Sequence, residues 1–294
     1  MGYRDIVRAA KREKWAYIML APVIVYFAVV YVVPVVRTVA LGFSDYTART
    51  GAVWVGLKHY RAILHDRVFW RAGENTLIYT VGVVAISVWL SLFLANLIFQ
   101  LPRAAQSGFK AAYYLPSVVS MVSVSLVWLW LYQPSFGFLN QLLRGIGVPP
   151  VLWLASPRTA LGSIIAMIVL TGQGVNIILF NAAMGNIPVE LYESADMDGA
   201  GRSRKFWGIT LPMLRPTVLF VTVTGVITSF QVFTSIYVMT KGGPNYATVT
   251  VVYRIYETAF QRYSYGSACA QSTVLFCVMF LVSILQYRVM SERT

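Results

Sequence analysis

The chain has 294 residues, 57% of them hydrophobic, and a mean hydropathy of +0.64. That excludes an ordinary soluble domain and makes membrane spans the first feature to seek. The 24 Lys and Arg against 11 Asp and Glu leave a net charge of +13, which would suggest nucleic acid in a soluble protein; here the bases lie mainly between apolar runs, so membrane lipid and topology account for them and no nucleic acid is expected.

Six apolar runs of spanning length follow one another, near 15–37, 77–100, 111–132, 160–184, 214–239 and 268–288. None carries Asp, Glu, Lys, Arg or His in its interior, where a charge is costly. No strand alternation is visible, and helices satisfy their own backbone in lipid. The expected fold class is therefore an all-α polytopic membrane protein with six transmembrane helices. Residues 1–14 read as a basic cytoplasmic segment and 15–290 as a single six-span domain. The first run exceeds the core of a signal peptide, so it reads as an uncleaved span. Arg4, Arg8, Lys11, Arg12 and Lys14 precede it and place the N-terminus inside, although only a narrow majority of all 24 bases falls on that side. Both termini are then cytoplasmic, in a multi-pass protein of the cell membrane.

The loop after the first run carries His59 and His65, the only histidines. They have no carboxylate at helical spacing and read as surface loop residues, not as a metal pair, so no metal site is expected. In the third run, Leu115-Pro116 precede Trp128, Trp130 and Tyr132, aromatics suited to an interface. The fourth run contains Gly172-Gln173-Gly174-Val175-Asn176. Gln173, Asn176 and Phe180 share a helical face, and the glycines can loosen the backbone where it lines a cavity.

The next stretch, Ile187–Pro216, is the most charged of the chain. Asn186 reads as an N-cap, Pro188 fits a first turn, and Glu190 complements the positive helix end. Leu191, Tyr192 and Ala195 fall on one side of the short helix. Gly199 and Gly201 interrupt it, and Ser203 can cap a second helix. The product is helix, bend, helix across the membrane surface, an elbow able to fit a groove on another protein.

The fifth run carries Thr224, Thr228, Gln231 and Ser235 along one stripe, with Phe230, Phe233 and Tyr237 close by. Two readings stay open. One is a translocation path offering hydroxyl, amide and aromatic partners, as sugar rings need. The other is interhelical hydrogen bonding, worth about 1 kcal/mol or less per contact. The path candidates are Gln173, Asn176, Thr228, Phe230, Gln231, Phe233 and Ser235. Cys269 and Cys277 in the last run lack any CxxC spacing and read as packing residues.

Glu193-Ser194-Ala195, then Gly199, Ile209 and Leu211-Pro212, keep every spacing of a known signature. The segment resembles the cytoplasmic Glu-Ala-Ala loop of the permease subunits of binding-protein-dependent ABC importers, with Ser194 in place of the first Ala. Gly56-Leu57-Lys58-His59-Tyr60 resembles the family's stretch before the second span, with His59 where Asn is usual. Thr240-Lys241-Gly242-Gly243-Pro244 and Gly266–Ala270 resemble the family too, and the Gly-Gly-Pro turn resembles the maltose-F and glycerol-phosphate-A type. The resemblance implies the type I importer permease fold. It implies a coupling loop over 185–215, with Glu190, Glu193, Ser194, Ala195, Asp198, Gly199 and Ala200 engaging the ATPase. The partners implied are a second permease forming a heterodimer, two ATPase subunits and an extracytoplasmic solute-binding protein. ATP and Mg would sit on the ATPase, with no cofactor on this chain.

The chain lacks a Gly-x-x-x-x-Gly-Lys-Ser/Thr phosphate loop, a His-Glu-x-x-His site and a Gly-x-Ser-x-Gly elbow. It is therefore expected to be a non-catalytic subunit. The expected function is the permease of an ATP-driven importer for a sugar, oligosaccharide or polyol. The rivals are a stand-alone secondary carrier or channel for a small neutral solute, weakened by the absence of ionisable residues inside the spans, and a non-transporting scaffold.

Overall fold

The computed structural model describes residues 14–47 and 51–291. The basic N-terminal segment lies, up to residue 13, outside the described residues. The fold divides into two compact units: residues up to His65 with Ile255–Phe276, and Asp66–Arg254 with the segment from Cys277.

In the first unit, α1 (Lys14–Phe27) runs through a π-helical turn (Ala28–Val32) into α2 (Val33–Gly42). The widened turn ends just before Pro34, whose ring cannot sit against a carbonyl four residues back. Along Tyr17–Gly42 the most apolar window is 0% buried, so this span presents all its sides outward. An antiparallel hairpin follows, β1 (Ser44–Thr47) on β2 (Gly51–Trp54), with Ser44 opposite Trp54. This corrects the expectation of a chain without strands. Phe43 stacks on Trp54 with ring centroids 5.4 Å apart.

Helix α3 (Lys58–His65) then brings in His59, which is buried and no surface loop residue. Its Nε2 lies 2.9 Å from Asp45 Oδ1 and its Nδ1 2.9 Å from Ser267 Oγ. Lys58 donates to the other Asp45 oxygen at 2.6 Å. That hydrogen bond holds the Asp45 carboxyl below the usual carboxylate range, with the charges of Lys58 and His59 adding to it against a desolvation penalty.

The second unit is built around α4 (Arg67–Phe99). The helix starts at Arg67 and not near residue 77, because Asp66 caps it through the N–H groups of Val68 and Phe69. Onto it pack α8 (Ala160–Thr171), α9 (Gly174–Gly185) and α13 (Arg215–Phe230). The α4 residues Val84, Val88, Leu92 and Ala95 recur every three or four positions and meet Ile177, Phe180 and Met184 of α9, with Leu214 and Val221 alongside.

Three of the expected spans are broken helices. α5 (Arg103–Val118) and α6 (Met121–Leu131) are bent by 97°, α8 and α9 by 46°, and Arg202–Met213 and α13 by 66°. Val119 and Ser120 are extended between α5 and α6, just after Pro116. Counting each bent pair as one span, with Tyr17–Gly42, Arg67–Phe99 and Tyr265–Gln286, the described residues hold up to six spans. Arg202–Met213 itself consists of α11 (Arg202–Lys205), a π-turn (Phe206–Thr210) and α12 (Leu211–Met213); outside the spans lie α7 (Phe138–Gly145), α10 (Val189–Met197), α14 (Thr234–Met239), α15 (Val251–Tyr256) and a further π-turn (Glu257–Gln261), and α16 (Tyr265–Ser291) ends the described chain. Of the two cysteines, Cys269 is half-buried, whereas Cys277 is exposed and not a packing residue within this chain.

Candidate functional site

Two places in the second unit combine chemistry with geometry: the polar loop after α9, and a cavity where two spans break.

The loop begins differently from the sequence expectation. Asn186 closes α9 through its backbone N–H instead of capping α10, and Pro188 stands at the start of α10. Gly201, not Ser203, stands at the start of α11. The end of α10 is a Schellman closure. Gly199 takes φ +67°, its N–H donates to Asp196 O at 3.0 Å, and the Ala200 N–H donates to Ala195 O at 2.8 Å. Tyr192 and Ala195 face inward, with the Tyr192 hydroxyl 2.9 Å from Thr210 Oγ1; Leu191 is exposed and so does not share their side. Lys205 pairs with Asp196 across the bend. Glu190, Glu193, Ser194, Asp198 and Gly199 are all exposed, and Ala195 and Ala200 are half-buried. Val189, Leu191 and Met197 are exposed beside them, with Met197 at 90%. The elbow is internally braced yet offers apolar and acidic side chains outward.

The cavity has a volume of about 470 Å³. It opens where the helices break: at Gly172 between α8 and α9, and at Gln231–Phe233 between α13 and α14. Asn176, Thr228, Gln231, Phe233 and Ser235 line it together, facing Tyr79 and Ser87 of α4. Two expected residues are not brought there. Gln173 is buried instead, donating to Ser87 Oγ at 3.2 Å and to Val169 O. Phe230 does not line the cavity either.

The lining carries no Asp, Glu, Lys, Arg or His. The Thr224 and Thr228 hydroxyls donate back into their own helix, to Phe220 O and Thr224 O, so they face the cavity as acceptors. The Asn176 and Gln231 amides make no hydrogen bond among the described residues, and each can donate and accept. Phe233 stacks on Tyr237 at 5.3 Å. Such a site suits a neutral, hydroxyl-rich solute with an apolar ring face. Tyr79 and Ser87 escaped the sequence reading. They fall two turns apart on one face of α4, within an otherwise apolar run, and that small polar interruption was the available signal.

The profile of the family described as the binding-protein-dependent transport system inner membrane component matches residues 87–292. The chain belongs to this family. As such a permease it is similar to the sulfoquinovosyl glycerol transport system permease SmoG of Agrobacterium fabrum, at 30% identity over 95% of this chain and 91% of that protein. It is similar to the lactose transport system permease LacF of Rhizobium radiobacter at 33% identity, over 94% of each chain. Among solved structures, a bacterial ABC transporter that imports the acidic polysaccharide alginate superposes with a TM-score of 0.86 and 25% identity, over 98% of this chain and 99% of that one. The permease therefore has the type I importer fold and is membrane-embedded, and a binding protein is its partner in transport.

Proposed function

We propose that this permease conducts a neutral carbohydrate or polyol in an ATP-driven importer. The observation that carries the reading is the uncharged cavity at the two helix breaks, where the free amides of Asn176 and Gln231 lie beside Phe233. Discontinuous spans meeting near mid-membrane are a common way to build a transport site. The names of relatives support the class: one is a lactose permease and another an arabinooligosaccharide permease of Halalkalibacterium halodurans, 31% identical over 92% of this chain.

In this reading the chain hydrolyses nothing. ATP and Mg belong to two ATPase subunits, and a second permease completes the pore. Glu190, Glu193, Ser194, Ala195, Asp198, Gly199 and Ala200 couple to the ATPase. What supports this is the braced elbow with its exposed Met197, Leu191 and acids, which can insert as a rigid body. ATPase closure would then move the elbow and shift the cavity between inward and outward states. The elbow, the N-terminus and the C-terminus lie on the cytoplasmic side. The test is uptake of a panel of labelled sugars by the assembled transporter, with Gln231→Ala as the variant. Loss of preference within the panel supports the reading. Unchanged preference and affinity would count against this cavity as the path.

A further inference from the structure

A second cavity, of about 450 Å³, lies at the far end of α4, away from the transport cavity. Leu94, Leu97, Leu101, Phe109 and Tyr113 form its walls, and Arg202 stands at its edge. Leu97, Leu101 and Phe109 are each more than a third exposed, so the walls open outward from this chain.

The polar lining is Arg202 with Gln100, and the bases of α5 lie outside it. Arg103, Gln106, Lys110 and Tyr113 recur at helical spacing along α5, and Tyr113 enters the cavity. Gln106 ties down the turn from α4 by donating to Phe99 O and Leu101 O at 3.0 and 2.9 Å, and Lys110 donates to Gln106 Oε1 at 3.3 Å. Among the described residues, Arg202, Arg103 and Lys110 have no carboxylate within ion-pair distance. No Asp or Glu occurs in the chain between Glu74 and Glu190, a stretch that includes the turn but ends before Arg202.

The depth matches a lipid headgroup. The 33 residues of α4 span about 50 Å against a hydrocarbon layer of about 30 Å; its polar first ten residues, from Arg67, take up about 15 Å of the excess, so its far end lies near the acyl–headgroup boundary. An apolar wall at the acyl boundary with bases at the phosphate level fits an anionic amphiphile better than a free anion, which would gain nothing from the leucines.

We propose that this cavity is a binding site for one anionic phospholipid, its phosphate on Arg202 and its acyl chain along Leu97, Leu101 and Phe109. The inference rests on the membrane reading of the chain and not on the transported solute. The site sits at the root of the polar elbow, so its lipid braces the segment that begins at Arg202.

The test uses the assembled transporter in membranes carrying tail-photoactivatable phosphatidylglycerol or phosphatidylcholine, with labelled peptides mapped. Phosphatidylglycerol is expected to label the 94–113 segment about fivefold more than phosphatidylcholine, and Arg202→Gln to remove the difference while Arg202→Lys keeps most of it. Co-purification of the Gln variant with the second permease and the ATPase serves as the control for assembly. Equal labelling by the two lipids would overturn the proposal, as would labelling unchanged in an assembled Arg202→Gln transporter. Displacement of the label by inorganic phosphate, or crosslinking of position 202 to an acidic segment of the ATPase in place of lipid, would equally overturn it.

Discussion

Asp66 and Arg254 lie 188 residues apart in the chain, and Asp66 Oδ2 sits 2.9 Å from Arg254 Nη2. The other Asp66 oxygen caps α4 through the Val68 and Phe69 N–H groups at 2.8 and 3.2 Å. One carboxylate thus starts the central helix and holds α15 to it. Burial raises its pKa, but Arg254 and the two backbone donors outweigh burial and leave the carboxyl below its ordinary value.

Asp66→Asn keeps a good cap and removes the charge. Loss of the charge beside an almost fully buried guanidinium, from a carboxylate that is itself a quarter exposed, is expected to cost about 1–3 kcal/mol, read as a lower melting temperature at pH 7. Because the folded pKa lies below the unfolded one, near 3.9, the stabilisation is complete above that value and is lost as pH falls through the folded pKa. Melting curves of wild type and variant should therefore converge as pH drops below about 4. A gap that stays constant to pH 2 would argue against the pair as its source.

Gly174 allows α9 to meet α5 backbone to backbone. A Cβ there would come within 2.5 Å of Tyr114 Cα and closer still to Tyr113 O. Gly174→Ala is expected to destabilise the fold by about 1–3 kcal/mol, as overpacking does, with a lower yield of folded protein in detergent. Gly162→Ala, where nothing lies within 4 Å, is the matched control and should be neutral.

The apolar runs were legible because each span is hydrophobic along its whole length, and the glycines around Gln173 marked the break between α8 and α9. The elbow was legible through its spacing. What the residues hid was long-range. Asp66 extends α4 through polar residues that hydropathy alone leaves out. His59 looked solvent-exposed because one of its partners, Ser267, is 208 residues away. Gln173 shares a face with Asn176 on an ideal helix, but the bend at Gly172 turns it onto Ser87 and out of the cavity.

Gly199 carries the bend of the elbow at φ +67°. Gly199→Ala forces a side chain into the left-handed region, at about 1 kcal/mol, and should lower transport modestly. Gly199→Pro cannot reach that φ and also deletes the N–H bonded to Asp196 O. It is expected to leave membrane insertion intact while separating ATP hydrolysis from uptake. Parallel ATPase and uptake assays check this, and normal uptake by the Pro variant would sink the coupling role.

The proposed path assigns Gln231 and Asn176 to the solute, and their amides bond to nothing among the described residues. Gln231→Ala should raise the half-saturating solute concentration about tenfold, the worth of one good hydrogen bond, without shifting the melting temperature. A loss of stability with unchanged uptake would assign Gln231 to helix packing instead.

The most direct measurement is ATP-dependent uptake into vesicles holding the chain with a second permease, the ATPase and the binding protein, and into vesicles holding the chain alone. Accumulation of a neutral sugar only in the complete set, and only with ATP, is the predicted result. Uptake by the lone chain, driven by an ion gradient and indifferent to ATP, would contradict the account.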